Sequence, residues 1–540
     1  MTVNPEAITW DAVIVGTGMG GATLGYSLAR GGRRVLFVER GLDLRSCDSD
    51  RLRGRFVEDH IGFRRLSHAE QEHEIALGGR STDHVEDRSG GRVAAFSPYI
   101  GCGTGGSTAL YGMVLERLFP VDFVGGAVAP GDGGSLRSAS WPIEYEDLRP
   151  WYEAAEQLYR VRGGADPLRP GDAAKLLPAP ALTPESAAIV ETLAARGVHP
   201  YRLHTACEEV RGCRSCQGHL CGSSCKNETV RVCLTPALEE HGACLLTECV
   251  ALSLDADRTR VQRLACSWRG RRIDLRAKVF VLAAGALFTP ALLIGSKSAF
   301  WPDGLANASG LVGRNLMRHA IDLYVLTRAP RLPADTLTKE VAFNDFYAGG
   351  SDKFGTVQSF GTATPLGYLR NRPGFNLWRL LGSVAPFVWS RYSRQPILGA
   401  IMEDLPYPEN RVAPTAAIGA TGRYRLSLQY RLRSADLVRR RRFRGALGRV
   451  LAPFRPMRVW GTTDRAALGH ACGTCRFGAD PDTSVLDPWN RAHGLSNLYV
   501  VDGSFFPTSG GVNPALTIGA NALRVAHHLE SSISWGSGSR

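Results

Sequence analysis

An unbroken apolar run, Ala12-Val13-Ile14-Val15, leads into the glycine-rich Gly16-Thr17-Gly18-Met19-Gly20-Gly21. From Ala22 to Arg30 the spacing is helical, with Leu24, Leu28 and Ala29 on one side, and Gly31-Gly32 ends the pattern. A second apolar run, Val35 to Val38, follows, so residues 11–41 read as strand, turn, helix, strand. Residues 42–95 are polar and read as irregular. Trp141-Pro142 opens an amphipathic helix over Glu144–Arg160, and Pro and Ala crowd Asp166–Pro184 as at a crossing between domains. Strand-like segments recur at Ala243–Leu254, Val261–Trp268 and Val279–Ala283. Residues 320–460 alternate short strands and loops, and the last 70 residues return to a strand–turn–helix style. A chain of 540 residues is too long for one compact core, so two domains, interleaved or in series, are expected.

Gly16, Gly18 and Gly21 form G-x-G-x-x-G between a strand and a helix. The first glycine permits a tight turn, the second lets backbone approach a pyrophosphate, and the third allows close helix–strand packing. The helix N-terminus, with Met19 and Gly20, presents free N–H groups and a partial positive charge to phosphates. Glu39 ends the second strand 18 residues after Gly21, followed by Arg40. Its carboxylate suits ribose hydroxyls and repels a 2′-phosphate, which argues against NADP. These residues do not choose between NAD and FAD.

Other properties narrow the class. No run of about 18 apolar residues exists, so no membrane-spanning helix is expected. The N-terminus lacks a signal-like apolar stretch, which points to a cytoplasmic protein. The net charge of +13 is carried mostly by Arg and reads as a solvated surface. No nucleic-acid-binding motif accompanies it. Arg439 to Arg442 beside Phe443 reads as a solvated helix face, with contact to a membrane surface as the alternative, together with the apolar stretch Trp378–Trp389. Among 13 cysteines, Cys213, Cys216, Cys221 and Cys225 lie within 13 residues, flanked by Cys207 and Cys233. Thiolate-only ligands at short, uneven spacing suit an iron–sulfur cluster. A zinc site and free thiols or disulfides remain alternatives.

Further segments resemble the glucose–methanol–choline (GMC) family of flavin oxidoreductases. Gly101 to Gly112, with Gly105, Gly106, Ser107 and Tyr111, is similar to the signature that runs beside the flavin. The family often carries Asn where Tyr111 stands. Val281 to Pro290, with Ala284 and Gly285, is similar to the second signature, and Gly310 to Leu316 to the element that follows it. Val250 sits where the family's strand contacts the adenine through its backbone. The most specific match is His470-Ala471-Cys472-Gly473, then Asn497 to Ser504 with Asp502 and Gly503, then Asn513-Pro514-Ala515.

The resemblance implies an α/β Rossmann-like FAD domain built from discontinuous segments and an antiparallel-sheet substrate domain. It divides the chain into 1–165, 230–320 and 466–540 for FAD, 166–229 as a Cys-rich link, and 321–465 for substrate. It implies oxidation of a primary or secondary alcohol, with hydride passing to FAD, His470 as base and Asn513 as its partner. Asp502 and Gly503 would lie near the ribityl–pyrophosphate region. The substrate class offered is a primary alcohol of a sugar or aminoglycoside (paromamine-type 6′-oxidation) in secondary metabolism. A sugar, polyol or sterol dehydrogenase that passes electrons through an iron–sulfur cluster is the alternative, with a [3Fe–4S] or [4Fe–4S] centre. A flavin-binding relative without turnover is the non-enzymatic one. The electron acceptor would be oxygen or a redox partner.

Overall fold

The computed structural model describes residues 4–61, 66–124, 140–169, 175–208, 210, 212–213, 215–333, 338–347, 353–362, 393–415, 425–459 and 468–535. The stretch Trp378–Trp389 lies outside them. Five strands form a parallel sheet in the order Cys244–Leu246, Val35–Val38, Thr9–Val15, Arg271–Leu282, Leu498–Val500. They come from three distant parts of the chain, and all their C-terminal ends meet at one edge. Ala12, Val13, Ile14, Val35, Leu36 and Phe37 are fully buried, as expected of a parallel sheet covered on both faces. Helix Met19–Arg30 packs on Ala515–Ser532, which in turn packs on Tyr145–Leu158.

Sequence patterning expects one strand over 243–254. Two form instead, because Glu248 takes a left-handed turn at φ 54°. Cys244–Leu246 ends the parallel sheet, and Cys249–Ala256 starts an antiparallel extension with Val261–Trp268 and the first half of Arg271–Leu282. Residues 42–95, expected to be irregular, hold helix His68–Leu77 and strands His84–Asp87 and Ala94–Phe96. The helix starts on a capping box in which Ser67 and Glu70 bond each other's backbone N–H. The two strands join Arg411–Pro414 and Arg425–Gln429 in a separate sheet.

A six-stranded antiparallel sheet runs Pro456–Val459, Ala320–Leu326, Pro396–Met402, Val357–Thr362, Val341–Phe343, Tyr201–Arg202. Helix Ser434–Leu451 packs Phe443, Leu447 and Leu451 into a core with Tyr324, Leu398 and Ala400. The arginine run on this helix is a solvated face only in part: Arg441 and Arg442 are exposed, whereas Arg439 and Arg440 are half-buried. Arg440 and Arg444 both make paired hydrogen bonds to Asp322 on the central strand, at 2.7–3.1 Å, and Arg439 bonds Asp436 and the Lys353 carbonyl. Asp436 lies on the helix itself, but Asp322 lies on strand Ala320–Leu326, so Arg440 and Arg444 fasten the helix to the sheet. Among the described residues, no helix is long and apolar enough to cross a membrane.

Candidate functional site

The glycine turn sits at the C-terminal edge of the parallel sheet. Gly16 is left-handed at φ +100°, and a Cβ there would meet the Ala283 carbonyl at 2.4 Å. A Cβ at Gly21 would lie 2.2 Å from the Gly16 carbonyl, and one at Gly20 1.9 Å from the Val501 carbonyl. These three positions are glycine for close packing. Gly18 differs: a Cβ there meets nothing within 4 Å. It borders a cavity of about 350 Å³ that runs past Gly16, Met19, Gly20, Glu39, Arg40, Gly106, Ser107, Tyr111, Gly112, Ala284, Gly285, Asp502 and Gly503 to His470, Asn513, Pro514 and Ala515. Gly21 and Gly105 stand behind this wall. So does Val250: its neighbours Cys249 and Ala251 line the cavity instead, because successive side chains of a strand face opposite ways.

Buried Glu39 organises the glycine-turn end of the cavity. One carboxylate oxygen accepts from the Thr17 hydroxyl at 2.8 Å, and the other from the N–H groups of Gly41 and Gly103 at 3.0 and 3.3 Å. Gly105 N–H donates to the Thr17 hydroxyl at 3.1 Å, which ties the two glycine segments together. Arg40 pairs with Asp83 at 2.5 Å and lies over the Phe288 ring. Asp502 accepts from Gly285 N–H, the Thr289 hydroxyl, and the Ser504 N–H and hydroxyl. It therefore fixes the turn after Leu282 to the turn after Val500. The Tyr111 hydroxyl donates to the Asn227 carbonyl at 2.5 Å while its ring borders the cavity.

At the other end, Met317 and Cys472 form an isolated antiparallel bridge with mutual N–H···O bonds of 3.0 and 2.9 Å. Antiparallel pairing then sets His319, two residues onward, opposite His470, two residues back. Their Nδ1 atoms are 3.0 Å apart. His319 Nε2 faces the carbonyls of Ser509 and Gly510 at 3.2 and 3.0 Å. Carbonyls only accept, so Nε2 of His319 carries the proton and its Nδ1 is an acceptor. His470 must then donate from Nδ1, which leaves a lone pair on His470 Nε2. That atom lies 3.3 Å from Asn513 Nδ2. The Asn513 carbonyl oxygen is buried with no partner. Burial, the adjacent His319 and Lys339 hold His470 down at about 3, and burial holds His319 at about 4. Both rings are neutral at neutral pH. Asn513-Pro514 also opens helix Ala515–Ser532, whose N-terminus faces the cavity.

The sequence motifs did not point to His319, Lys339 or Gln358. His319 follows Leu316 by three residues, and only the strand bridge reveals its pairing. Gln358 reaches the cavity from strand Val357–Thr362 of the antiparallel sheet, and Lys339 from the segment just before strand Val341–Phe343.

Two models of the GMC oxidoreductase family match residues 140–321 and 423–522. The chain is 30% identical to 6′′′-hydroxyparomomycin C oxidase of Streptomyces lividus and to paromamine 6′-oxidase of Streptomyces fradiae, in each case over 97% of this chain and 92% of the relative. The chain belongs to the GMC oxidoreductase family. It is also 24% identical to the fructose dehydrogenase large subunit of Gluconobacter japonicus, over 99% of this chain and 100% of that one. Pyridoxine 4-oxidase from Mesorbium loti shares the fold, with a TM-score of 0.66 at 20% identity, over 97% of this chain and 100% of that one. This GMC oxidoreductase is an FAD-dependent enzyme of alcohol oxidation. The open space at Gly18, beside a helix N-terminus, fits the pyrophosphate of such a cofactor.

Outside the cavity, five cysteines gather. Cys207 and Cys213 sulfurs are 3.4 Å apart, Cys213 and Cys225 3.2 Å, and Cys221 and Cys225 3.6 Å. Cys207, Cys213 and Cys225 are buried and lie mutually within 4.8 Å. Cys207, expected only as a flanking residue, belongs to this nest. Cys216 is half-buried.

Proposed function

We propose that the enzyme oxidises a primary alcohol of a sugar or amino sugar to the aldehyde, with His470 taking the hydroxyl proton. The observation that carries this reading is the fixed tautomer of His470. Its Nε2 lone pair opens on the cavity beside Asn513, and the hydrogen bond through His319 holds it there. A substrate hydroxyl placed between them would give its proton to His470 Nε2, while Asn513 holds the oxygen. FAD, when bound, supplies the acceptor for the hydride that leaves the same carbon. A neutral imidazole is the form that can accept a proton, and the low His470 pKa keeps it so over the working range. In this reading 1–165, 230–320 and 466–540 hold FAD, and 321–465 covers the substrate. The names of the Streptomyces relatives favour a 6′-hydroxymethyl group on an aminoglycoside-type ring. A substrate panel with a dye acceptor, run beside an oxygen electrode, tests the alcohol and the electron acceptor together. Turnover of secondary alcohols alone would overturn the primary-alcohol reading.

The thiol nest is part of the proposal. Zn–S bonds of about 2.3 Å place tetrahedral thiolates roughly 3.8 Å apart. The nest's 3.2–3.6 Å contacts are close to that. In an iron–sulfur cluster the thiolates sit on separate irons, farther apart, so a cluster on Cys213, Cys216, Cys221 and Cys225 would require the nest to spread. A single thiolate-bound ion on Cys207, Cys213 and Cys225 is the better fit, and no redox step is routed through it. Metal analysis distinguishes the two: stoichiometric zinc without acid-labile sulfide supports the single ion, whereas iron with sulfide supports the cluster.

A further inference from the structure

The sheet side of the cavity carries polar groups that alcohol activation does not use. Lys339 is 4% exposed and lines the cavity. Its ammonium has three donors; one goes to the Gly112 carbonyl at 3.2 Å and one to the Gln217 side-chain oxygen. A Cβ on Gly112 would overlap Lys339 Nζ, so this glycine makes room for the ammonium. Gln358, 2% exposed on strand Val357–Thr362, also lines the cavity, and its carboxamide oxygen is buried with no partner. The two carboxylates among the described lining residues are both engaged: Glu39 with Thr17, Gly41 and Gly103, and Asp502 with Gly285, Thr289 and Ser504. Burial and the nearby Lys226 hold Lys339 down at about 7, so below neutral pH the cavity offers a cation, an orphaned acceptor and, among the described lining residues, no free carboxylate.

We infer that Lys339 and Gln358 form a substrate subsite for oxygen functions, so that the physiological substrate presents hydroxyl or carboxylate oxygens there and no ammonium group. This rests on the sugar-alcohol reading above and narrows it to neutral or acidic sugars, or to amino sugars whose amines point away from this wall. Lys339 would donate its third N–H to a substrate oxygen, and Gln358 would accept from a substrate hydroxyl. An ammonium in the same place would meet a like charge in a low-dielectric setting, where the repulsion is strong.

Equilibrium binding at about pH 6, where Lys339 is protonated, tests this apart from turnover. Glucuronate lacks the 6-hydroxymethyl group, whereas methyl glucoside and glucosamine keep it. All three are therefore titrated into holoenzyme whose flavin has first been reduced with dithionite and can accept no hydride, and the reduced-flavin spectrum is followed. The expected order is glucuronate or methyl glucoside tighter than glucosamine. Lys339→Met should weaken glucuronate on the order of tenfold to a hundredfold, the loss of one charge-assisted hydrogen bond, and bring glucosamine level with methyl glucoside. The two oxygen ligands separate anion from polyol recognition. Gln358→Leu is the second variant; it removes the orphaned acceptor and should weaken methyl glucoside more than glucuronate. Glucosamine binding tightest to the wild type would overturn the inference. So would variants that change FAD content but leave the ligand order unchanged. Failure to oxidise any sugar while this binding order holds would instead count against the proposed reaction alone.

Discussion

Replacing His319 by Asn should disable the enzyme without unfolding it. His319 adopts φ 63°, a left-handed conformation that Asn tolerates better than most residues, so the backbone can be kept. The shorter side chain cannot span the 3.0 Å contact to His470 Nδ1. His470 Nδ1–H then loses its acceptor, and the proton is free to move to Nε2, the atom that must be bare. One neutral hydrogen bond is worth about 0.5–1.5 kcal/mol net, or up to about tenfold in the tautomer ratio. Misorientation of the ring adds to this, within the roughly 10²–10⁴-fold that general-base catalysis contributes. We therefore expect kcat/KM for the alcohol to fall about tenfold to a hundredfold. The pH profile should move as well. His319 is one of the groups that depress His470, so its removal raises the His470 pKa and shifts the acidic limb to higher pH. Steady-state kinetics from pH 3 to 8 with FAD content measured in parallel is the assay. Full kcat/KM and an unmoved acidic limb at full FAD content would refute the relay.

Three other outcomes are expected. Gly18→Leu should leave the fold intact and abolish FAD binding, since its side chain enters open cavity, whereas Gly20→Ala should lower stability because its Cβ overlaps the Val501 carbonyl; melting curves and flavin absorbance separate them. Arg117→Met strands the 1%-exposed Glu156 carboxylate, which Arg117 now meets with two 2.7 Å bonds, and should cost about 3–5 kcal/mol, read as a lower melting temperature. His319 titrates at about 4 in the folded chain, below the ordinary 6.5; the unfolded chain therefore takes up a proton first as pH falls, and His319 should lower stability between pH 6.5 and 4 by up to about 1.4 kcal/mol per pH unit. His470, held at about 3, adds a slope of the same sign, so His319→Asn should lessen the total slope without abolishing it.

How much of this was legible in the sequence depends on how local each signal is. Gly16 to Gly21 and Glu39 declare a nucleotide turn because the strand, turn and helix are contiguous. His470 and Asn513 were found through their flanking motifs, although 43 residues separate them. His319 was missed because its meaning comes from a bridge between Met317 and Cys472, 155 positions apart. Nothing beside Lys339 or Gln358 in the chain signals a site; only the folded antiparallel sheet brings strand Val357–Thr362, and the segment before Val341–Phe343, to the cavity. The inward half of the arginine run is illegible for the same reason: Asp322 lies more than 100 residues upstream, so nothing near Arg440 advertises its partner. Glu248 broke an expected strand because a left-handed residue that is not glycine leaves no mark in composition.

The central claim is that His470 Nε2 accepts the alcohol's proton as the hydride leaves. Anaerobic mixing of the FAD-loaded enzyme with a saturating primary sugar alcohol, followed by stopped-flow absorbance, tests it most directly. Wild type should bleach the flavin in a single fast phase. His470→Gln should bind the same alcohol and bleach at least about 10²-fold more slowly. Equal bleaching rates in the two proteins would contradict the account.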